Sequence, residues 1–122
     1  EEVSEREGAD TIAAFVAEPV MGAGGAIPPS EGYFDAVIPV LRPHGITNVS
    51  DEVICGLGRT GATWGCETYG FEPDAIIASK ALTAGFCPMG AVILGPDQVG
   101  VGIDLDRELW NINRPEDLEA GP

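Results

Sequence analysis

The chain has 122 residues, of which 44% are hydrophobic, and its 20 acidic and six basic side chains give a formal charge of −14. A chain of this length forms at most one domain and can bury a core without disulfides or metals. The excess of carboxylates argues against binding to nucleic acids or anionic membrane surfaces, because such binding depends on Lys and Arg neutralising phosphates.

The cysteines indicate a reducing compartment, and the hydropathy indicates a protein without a membrane helix. The three cysteines, Cys55, Cys66 and Cys87, are an odd number, and their spacing fits neither a disulfide framework nor a CxxC metal site. We expect them to be buried small apolar residues. No apolar run reaches the ~20 residues of a membrane helix, so we expect a cytoplasmic protein that binds no metal and no membrane. Because the chain starts at Glu1, we also expect it to belong to a longer protein.

The first half of the chain predicts a strand followed by a helix. Residues 1–10 are polar and are predicted to be a linker or the end of a helix. Residues 11–17, TIAAFVA, form an apolar run that is typical of a parallel strand buried on both faces. After a glycine-rich turn, Ser30 is predicted to cap a helix that Pro39 kinks and Gly45 ends. The helix has apolar residues at helical spacing: Tyr33, Phe34, Val37, Ile38 and Leu41.

The second half predicts three more strands. Residues 46–50, ITNVS, form a short strand that Asn48 weakens unless its amide finds hydrogen-bond partners. After a glycine-rich loop, the apolar runs at 74–79 and 91–94 predict the third and fourth strands. This order of elements predicts an α/β fold with a mostly parallel sheet. The acidic residues 97–122 show no periodicity and stay unassigned.

Charged side chains follow the first three predicted strands. Glu18, Asp51 and Lys80 stand where open α/β sheets bind their ligands, although each could also be a solvated loop charge. Lys80 is the only lysine of the chain. A lysine amine can bond to a carbonyl carbon, and an acid in the same crevice can pair with the ring nitrogen of a cofactor. Pyridoxal phosphate requires such a pair.

Four stretches of the sequence carry longer motifs: AFVAEPVMGAGGAIPPSEGYF (14–34), DEVICGLGRTG (51–61), YGFEPDAIIASKALTAGF (69–86) and PMGAVILG (88–95). Together they resemble the class III pyridoxal-phosphate-dependent aminotransferases, the ω-transaminase group, over residues 11–96. The resemblance implies that these residues are part of the large, cofactor-binding α/β domain of a fold-type I transferase, which forms a homodimer. It also implies pyridoxal 5′-phosphate as cofactor, an amine or ω-amino acid as amino donor, and a 2-oxo acid as acceptor.

The resemblance implies roles for individual residues as well. Lys80 would bond to the aldehyde of the cofactor and later move the proton between the substrate carbon and the cofactor. Asp51 would bond to the pyridine nitrogen, and Val53 would pack against one face of the ring. Glu18 would lie near Asp51, either as part of the site or as a structural acid that orients its loop. Ala23 stands where members that use 2-oxoglutarate have a glutamate, which favours pyruvate as the acceptor.

The contacts that the family makes with the cofactor's phosphate have no counterpart in this sequence. Three interpretations therefore stay open: a fragment of an active transaminase, a truncated or degenerate relative without activity, and an unrelated acidic α/β binding module. We expect the isolated chain to have little or no transaminase turnover.

Overall fold

The structure is a computed structural model that describes residues 6–95, which form a four-stranded sheet flanked by helices. The strands are β1 (Ala14–Ala17), β2 (Thr47–Asp51), β3 (Ala75–Ala78) and β4 (Ala91–Leu94). The helices are α1 (Tyr33–Leu41) and the single-turn α2 (Gly65–Thr68), and 3-10 turns cover Ala9–Thr11, Arg42–His44 and Lys80–Thr83. Arg6 and Glu7 are also helical. The predictions for residues 1–5 and 96–122, including the unassigned acidic segment, lie outside the described residues.

The strands follow one another across the sheet in the order β1-β2-β3-β4. β1 pairs in parallel with β2, and β2 pairs in parallel with β3. β4 is antiparallel to β3. The predicted α/β fold with a mostly parallel sheet is thus confirmed. The crossover through α1 carries the chain from β1 to β2 and brings the carboxyl ends of the three parallel strands to one edge of the sheet.

The core lies between α1, the segment around α2 and one face of the sheet. Phe34 of α1 stacks on Phe71, with ring centroids 4.0 Å apart, and both rings are buried with Cys66. The partly buried side chains that pack against this cluster are Ala17, Ile38, Trp64, Tyr69 and Ile76. This packing fixes the carboxyl end of β1 relative to α1 and α2.

The start of α1 differs from the prediction. Gly32 precedes the helix with a left-handed backbone (φ 73°), and no side chain caps the first turn. Ser30 lies in the preceding turn, where its carbonyl oxygen accepts a hydrogen bond from the Tyr33 amide (3.1 Å). The prediction of Ser30 as the cap was therefore wrong. Pro39 lies inside the helix, which ends at Leu41, four residues before the predicted end at Gly45. Gly45 instead ends the following 3-10 turn, with a left-handed φ of 66°.

The prediction for β1 was wrong in two respects. The strand covers only Ala14–Ala17, because residues 9–11 form a 3-10 turn in which the Thr11 hydroxyl donates to the Gly8 carbonyl oxygen (2.8 Å). It is also not buried on both faces, since the side chain of Val16 is 55% exposed. Within residues 6–95, β1 is an edge strand, and Ala14 and Val16 on one of its faces are exposed.

Asn48 has partners in the central strand. Its backbone amide donates to Asp74 Oδ2 (2.7 Å), and its backbone carbonyl oxygen accepts a hydrogen bond from the backbone amide of Asp74 (2.8 Å). Its side-chain nitrogen lies 3.5 Å from the Glu72 carbonyl oxygen. Asn48 therefore leaves no unpaired amide in the core, and β2 pairs with β1 over residues 47–50 and with β3 over residues 49–51.

Candidate active site

Asp51 and Lys80 stand at the same edge of the sheet. Asp51 is the last residue of β2 and is in register with Ile77 of β3. Lys80 follows β3 after a single intervening residue, Ser79. Since β2 and β3 run parallel, their carboxyl ends place the predicted acid and the predicted amine at the same edge of the sheet, with Lys80 three residues beyond the register partner of Asp51.

The carboxylate of Asp51 is half-buried and partly engaged. Its Oδ1 accepts a hydrogen bond from the backbone amide of Val53 (3.0 Å), which closes a short turn at the end of β2. Among the residues that the structure describes, Oδ2 has no protein donor. One carboxylate oxygen of Asp51 is therefore held by its own loop, and the other can accept a hydrogen bond from a ligand.

Asp51 and Glu18 line the same cleft, which has a volume of about 610 Å³. The cleft lies between the end of β1, the following loop and the start of α1, and its walls include the rings of Tyr33 and Phe34. Glu18 Oε2 accepts a hydrogen bond from the Gly22 amide (2.8 Å). This contact favours the interpretation of Glu18 as a structural acid that orients its loop.

Lys80 lies outside the lining of this cleft, and its side chain is exposed. Its backbone is left-handed (φ 46°), which is uncommon for a residue other than glycine and costs about 1–3 kcal/mol. The turn is attached to the next segment by the Ser79 hydroxyl, which donates to the Met89 carbonyl oxygen (2.7 Å). The chain thus turns sharply at the residue that carries the amine.

Glu52 was missed in the sequence analysis. It is 1% exposed, and its carboxylate accepts hydrogen bonds from the Ser50 hydroxyl (2.9 Å) and from the backbone amides of Gly65 and Cys66 (2.8 Å each). The alternation of side chains in a strand could have indicated the burial of Glu52: if the strand continues past residue 50, Ser50 and Glu52 lie on one face and Asp51 lies on the other. The amide donors, however, come from residues 13 and 14 positions further along the chain.

Two of the cysteines are buried and one is exposed. Burial raises the pKa of the Cys66 thiol to about 12, and the negative charge of Glu52 adds to this effect. Burial also raises the pKa of Cys55, whose sulfur donates to the Val20 carbonyl oxygen (3.2 Å). Cys87 is exposed, so the prediction of burial was wrong for this residue. It lies beyond the turn at Lys80, outside the core.

Two further properties of the described part concern metals and membranes. Within residues 6–95, His, Cys, Asp and Glu side chains form no cluster of three or more that could hold a metal ion. The helices of the same range lack the length and apolar character that a bilayer crossing requires.

Comparisons with known proteins identify the family. The family described as "Aminotransferase class-III" matches residues 1–103, a range that contains the four described strands as well as Asp51 and Lys80. The chloroplastic gamma aminobutyrate transaminase 3 of Solanum lycopersicum is 52% identical over 92 residues, which are 75% of this chain and 18% of that protein. The chain spans about a fifth of the length of the curated relatives that it matches.

Solved structures agree with this relationship. The omega-transferase from Vibrio fluvialis JS17 is 72% identical, with a TM-score of 0.77, over 79% of this chain and 23% of that chain. A PMP-bound form of the aminotransferase from Vibrio fluvialis is also 72% identical, with a TM-score of 0.78, over 79% of this chain and 21% of that chain. From the sheet, the motifs and these matches together, we conclude that the chain belongs to the class III aminotransferases.

Proposed function

We propose that this protein is a pyridoxal-phosphate-dependent transaminase that transfers an amino group from an amine or ω-amino acid to a 2-oxo acid such as pyruvate. The observation that carries the proposal is the placement of Asp51 and Lys80 at one edge of neighbouring parallel strands, inside the segment that matches the family. Family membership argues against the alternative of an unrelated acidic binding module. The PMP-bound relative supports pyridoxal 5′-phosphate as the cofactor.

The residues at this edge fit the ring of that cofactor. A pyridine nitrogen needs a carboxylate oxygen, and Asp51 offers Oδ2 while Val53 holds Oδ1. An aldehyde needs an accessible amine, and Lys80 is exposed on a turn with a strained backbone. Strain of this kind is concentrated at functional sites, where the surrounding structure holds it in place.

Each side chain has a separate task in the proposed reaction. When bound, pyridoxal phosphate supplies an electron sink for the amino-transfer chemistry. The Asp51 carboxylate would keep the proton on the ring nitrogen, and Val53 would orient that carboxylate through its backbone amide. The Nζ atom of Lys80 would hold the aldehyde carbon and, once released by the incoming amine, would move a proton at the substrate carbon. Glu18 would keep the neighbouring loop in place through Gly22.

The choice of 2-oxo acid is proposed from the loop that follows Glu18. Met21 and Ile27 bridge the ends of this loop through two backbone hydrogen bonds (2.9 and 3.0 Å). Ala23 lies exposed between them. Its methyl group carries no charge that could help to bind the second carboxylate of a dicarboxylic acceptor. We therefore propose a monocarboxylic acceptor such as pyruvate rather than 2-oxoglutarate.

The degenerate, inactive relative is a second candidate, and the distribution of cations favours it. The described cations other than Lys80 are Arg6, Arg42 and Arg59, and all three are exposed. Arg59 is already engaged, since its Nε donates to the Ile54 carbonyl oxygen (2.7 Å). Few donors therefore remain in residues 6–95 for the dianionic phosphate, which also faces a chain of charge −14.

Covalent mapping on the 122-residue chain tests the proposed function. We would incubate the chain with pyridoxal phosphate, reduce it with borohydride and locate the label by peptide mapping. Because Lys80 is the only lysine, the label is expected there, and the α-amine of Glu1 is the only rival amine. The matched control is Lys80→Arg, which keeps the positive charge and must lose the label. Label at Glu1 alone would contradict a working lysine site.

Turnover separates an active chain from a binding-only chain. We would measure amino transfer to pyruvate from β-alanine and from a simple aromatic amine, with saturating cofactor and with Lys80→Ala as control. We expect turnover far below ~1 per second, because a cofactor that lacks phosphate contacts is poorly oriented for proton transfer. Ordinary turnover that the control loses would show that the chain completes its own site. The predicted homodimer and the cytoplasmic location stay predictions.

A further inference from the structure

We propose that Glu52 is the positioning residue that holds Asp51 and Val53 in place at the end of β2. The inference rests on the proposed function, in which Asp51 meets the ring nitrogen of the cofactor. Glu52 itself faces the interior rather than the cleft, so it acts only through its neighbours.

The contacts of Glu52 connect separate parts of the fold. Its backbone amide donates to the Ile77 carbonyl oxygen of β3 (2.8 Å), and its backbone oxygen accepts from the Gly56 amide (2.9 Å). Its carboxylate accepts from the first two amides of α2, at Gly65 and Cys66. A single residue thus joins the end of β2 to the next strand, to the loop that follows and to the short helix.

The charge of Glu52 is balanced by hydrogen-bond donors rather than by a cation. Within residues 6–95 the only ion pair is that of Arg6 with Glu7, which is exposed and distant from Glu52 in the sequence. A buried charge without hydrogen-bond donors is costly. The three hydrogen bonds to this carboxylate therefore hold residue 52 in a fixed position relative to Ser50 and to the start of α2. Because all three donors are in place, small movements of residue 52 would break strong bonds.

Asp51 lies in the sequence between Ser50 and Glu52, whose side chains are hydrogen-bonded to each other. The Ser50 hydroxyl donates to Glu52 Oε1 (2.9 Å), so the residues on either side of Asp51 are joined on the buried face of the strand. Asp51 lies on the opposite face, where it lines the cleft and binds the Val53 amide. Rotation of the chain at Asp51 would therefore break the contact between its neighbours.

Glu52→Gln isolates this role because it keeps the size of the side chain. The backbone amides of α2 now donate to the carboxylate oxygens of Glu52. The new amide nitrogen of the glutamine is itself a donor, so it cannot accept such a hydrogen bond. Glu67→Gln is the matched control: Glu67 Oε2 also accepts from a backbone amide at α2, that of Trp64 (2.9 Å), but the side chain is exposed. Ser50→Ala is a milder variant that removes one bond and keeps the charge.

Amide hydrogen exchange on the full chain, followed by NMR, tests the inference without the cofactor. Val53 reports on the Asp51 turn, and the Thr47 amide, which donates to Ala13 at the other end of β2 (3.2 Å), reports on the strand as a whole. In Glu52→Gln we expect Val53 to exchange about tenfold faster relative to Thr47. Ser50→Ala should give a smaller change of the same kind, and Glu67→Gln none.

Other outcomes separate this inference from the proposed function. Equal acceleration at Val53 and Thr47 would mean a general structural role and would overturn the inference, as would an unchanged Val53 in both Glu52→Gln and Ser50→Ala. The affinity for pyridoxal phosphate is the second readout, and we expect Glu52→Gln to weaken it about tenfold. If the unsubstituted chain carries no label on Lys80 while Val53 still loosens selectively, the proposed function fails and the positioning role stands.

Discussion

The end of β2 and the turn after β3 lie at the same edge of the sheet but are held by different contacts. Around Asp51, the neighbouring residues Ser50 and Glu52 are fully buried and hydrogen-bonded to each other and to α2. Lys80 itself is exposed, the residues next to it, Ser79 and Ala81, are only half-buried, and Phe86 is 94% exposed. The acid side of the proposed site is therefore held in place by contacts within residues 6–95. The amine side offers its functional group from a strained turn without a surrounding core.

The largest expected effect compares two phenylalanines, one from each region. Phe34→Ala removes a ring that is 4% exposed and stacked on Phe71, so we expect a loss of about 3–5 kcal/mol in the free energy of unfolding. Phe86→Ala removes a ring that the described residues leave in solvent, so we expect a change within about 0.5 kcal/mol. Urea denaturation of both variants measures the difference. Similar losses would show that the turn region is packed as tightly as the core.

A pH effect of intermediate size distinguishes the buried from the exposed thiol. The pKa of Cys66 rises from 9.0 to about 12, so the folded state retains the proton over a range in which the unfolded state loses it. This contribution is complete below pH 9 and decreases as the pH rises towards 12, by at most about 1.4 kcal/mol per pH unit.

Urea denaturation between pH 8 and pH 11 measures this slope. Cys66→Ala should fall less steeply than the unsubstituted chain, although Cys55 adds a slope of the same sign. Cys87→Ala is the control on the exposed side and should leave the profile unchanged. A Cys66→Ala profile that matches the unsubstituted chain would mean that Cys66 reaches water in the folded state.

The fold could be predicted from the sequence more completely than the site. The apolar runs placed β3 and β4 to within a residue of their ends, because local hydrophobicity determines where a strand can form, and the short stretch 46–50 placed β2 equally closely. The burial of β1 could not be predicted, because it depends on how many elements cover Val16 and not on the run itself. Ser30 failed as a cap because Gly32 places the backbone turn two residues later.

Within the proposed site, the strand-end rule and the family motifs pointed to Asp51 and Lys80, whose roles stay predictions. Asp51 ends β2 and Lys80 lies two residues after the end of β3, so their placement at one edge follows from the parallel pairing of β2 and β3. The importance of Glu52 could not be predicted, because its amide donors belong to Gly65 and Cys66 and the path of the intervening loop is not written in a local pattern.

The smallest expected effect concerns the exposed side of the sheet. Val92 of β4 is 64% exposed, so Val92→Thr should change the free energy of unfolding by no more than about 0.5 kcal/mol. The same substitution at half-buried Val49 of β2 places a hydroxyl in the paired centre of the sheet, and we expect a larger loss. Thermal denaturation of the two variants gives the comparison. A larger loss at Val92 would reverse the order of the two regions.

The affinity of the chain for pyridoxal phosphate, measured on Asp51→Asn, tests the central claim that Asp51 and Lys80 form one site. The substitution keeps the bond from the Val53 amide but removes the negative charge that holds a proton on the ring nitrogen. With the Lys80 label as readout, we expect half-maximal labelling to need about 10- to 100-fold more cofactor, because a charged hydrogen bond contributes roughly 1.5–3 kcal/mol. The matched control is Asp35→Asn, which removes the charge of an exposed aspartate in α1 and should label like the unsubstituted chain. Equal labelling of Asp51→Asn and the unsubstituted chain would contradict the account, since the acid and the amine would then belong to separate surfaces.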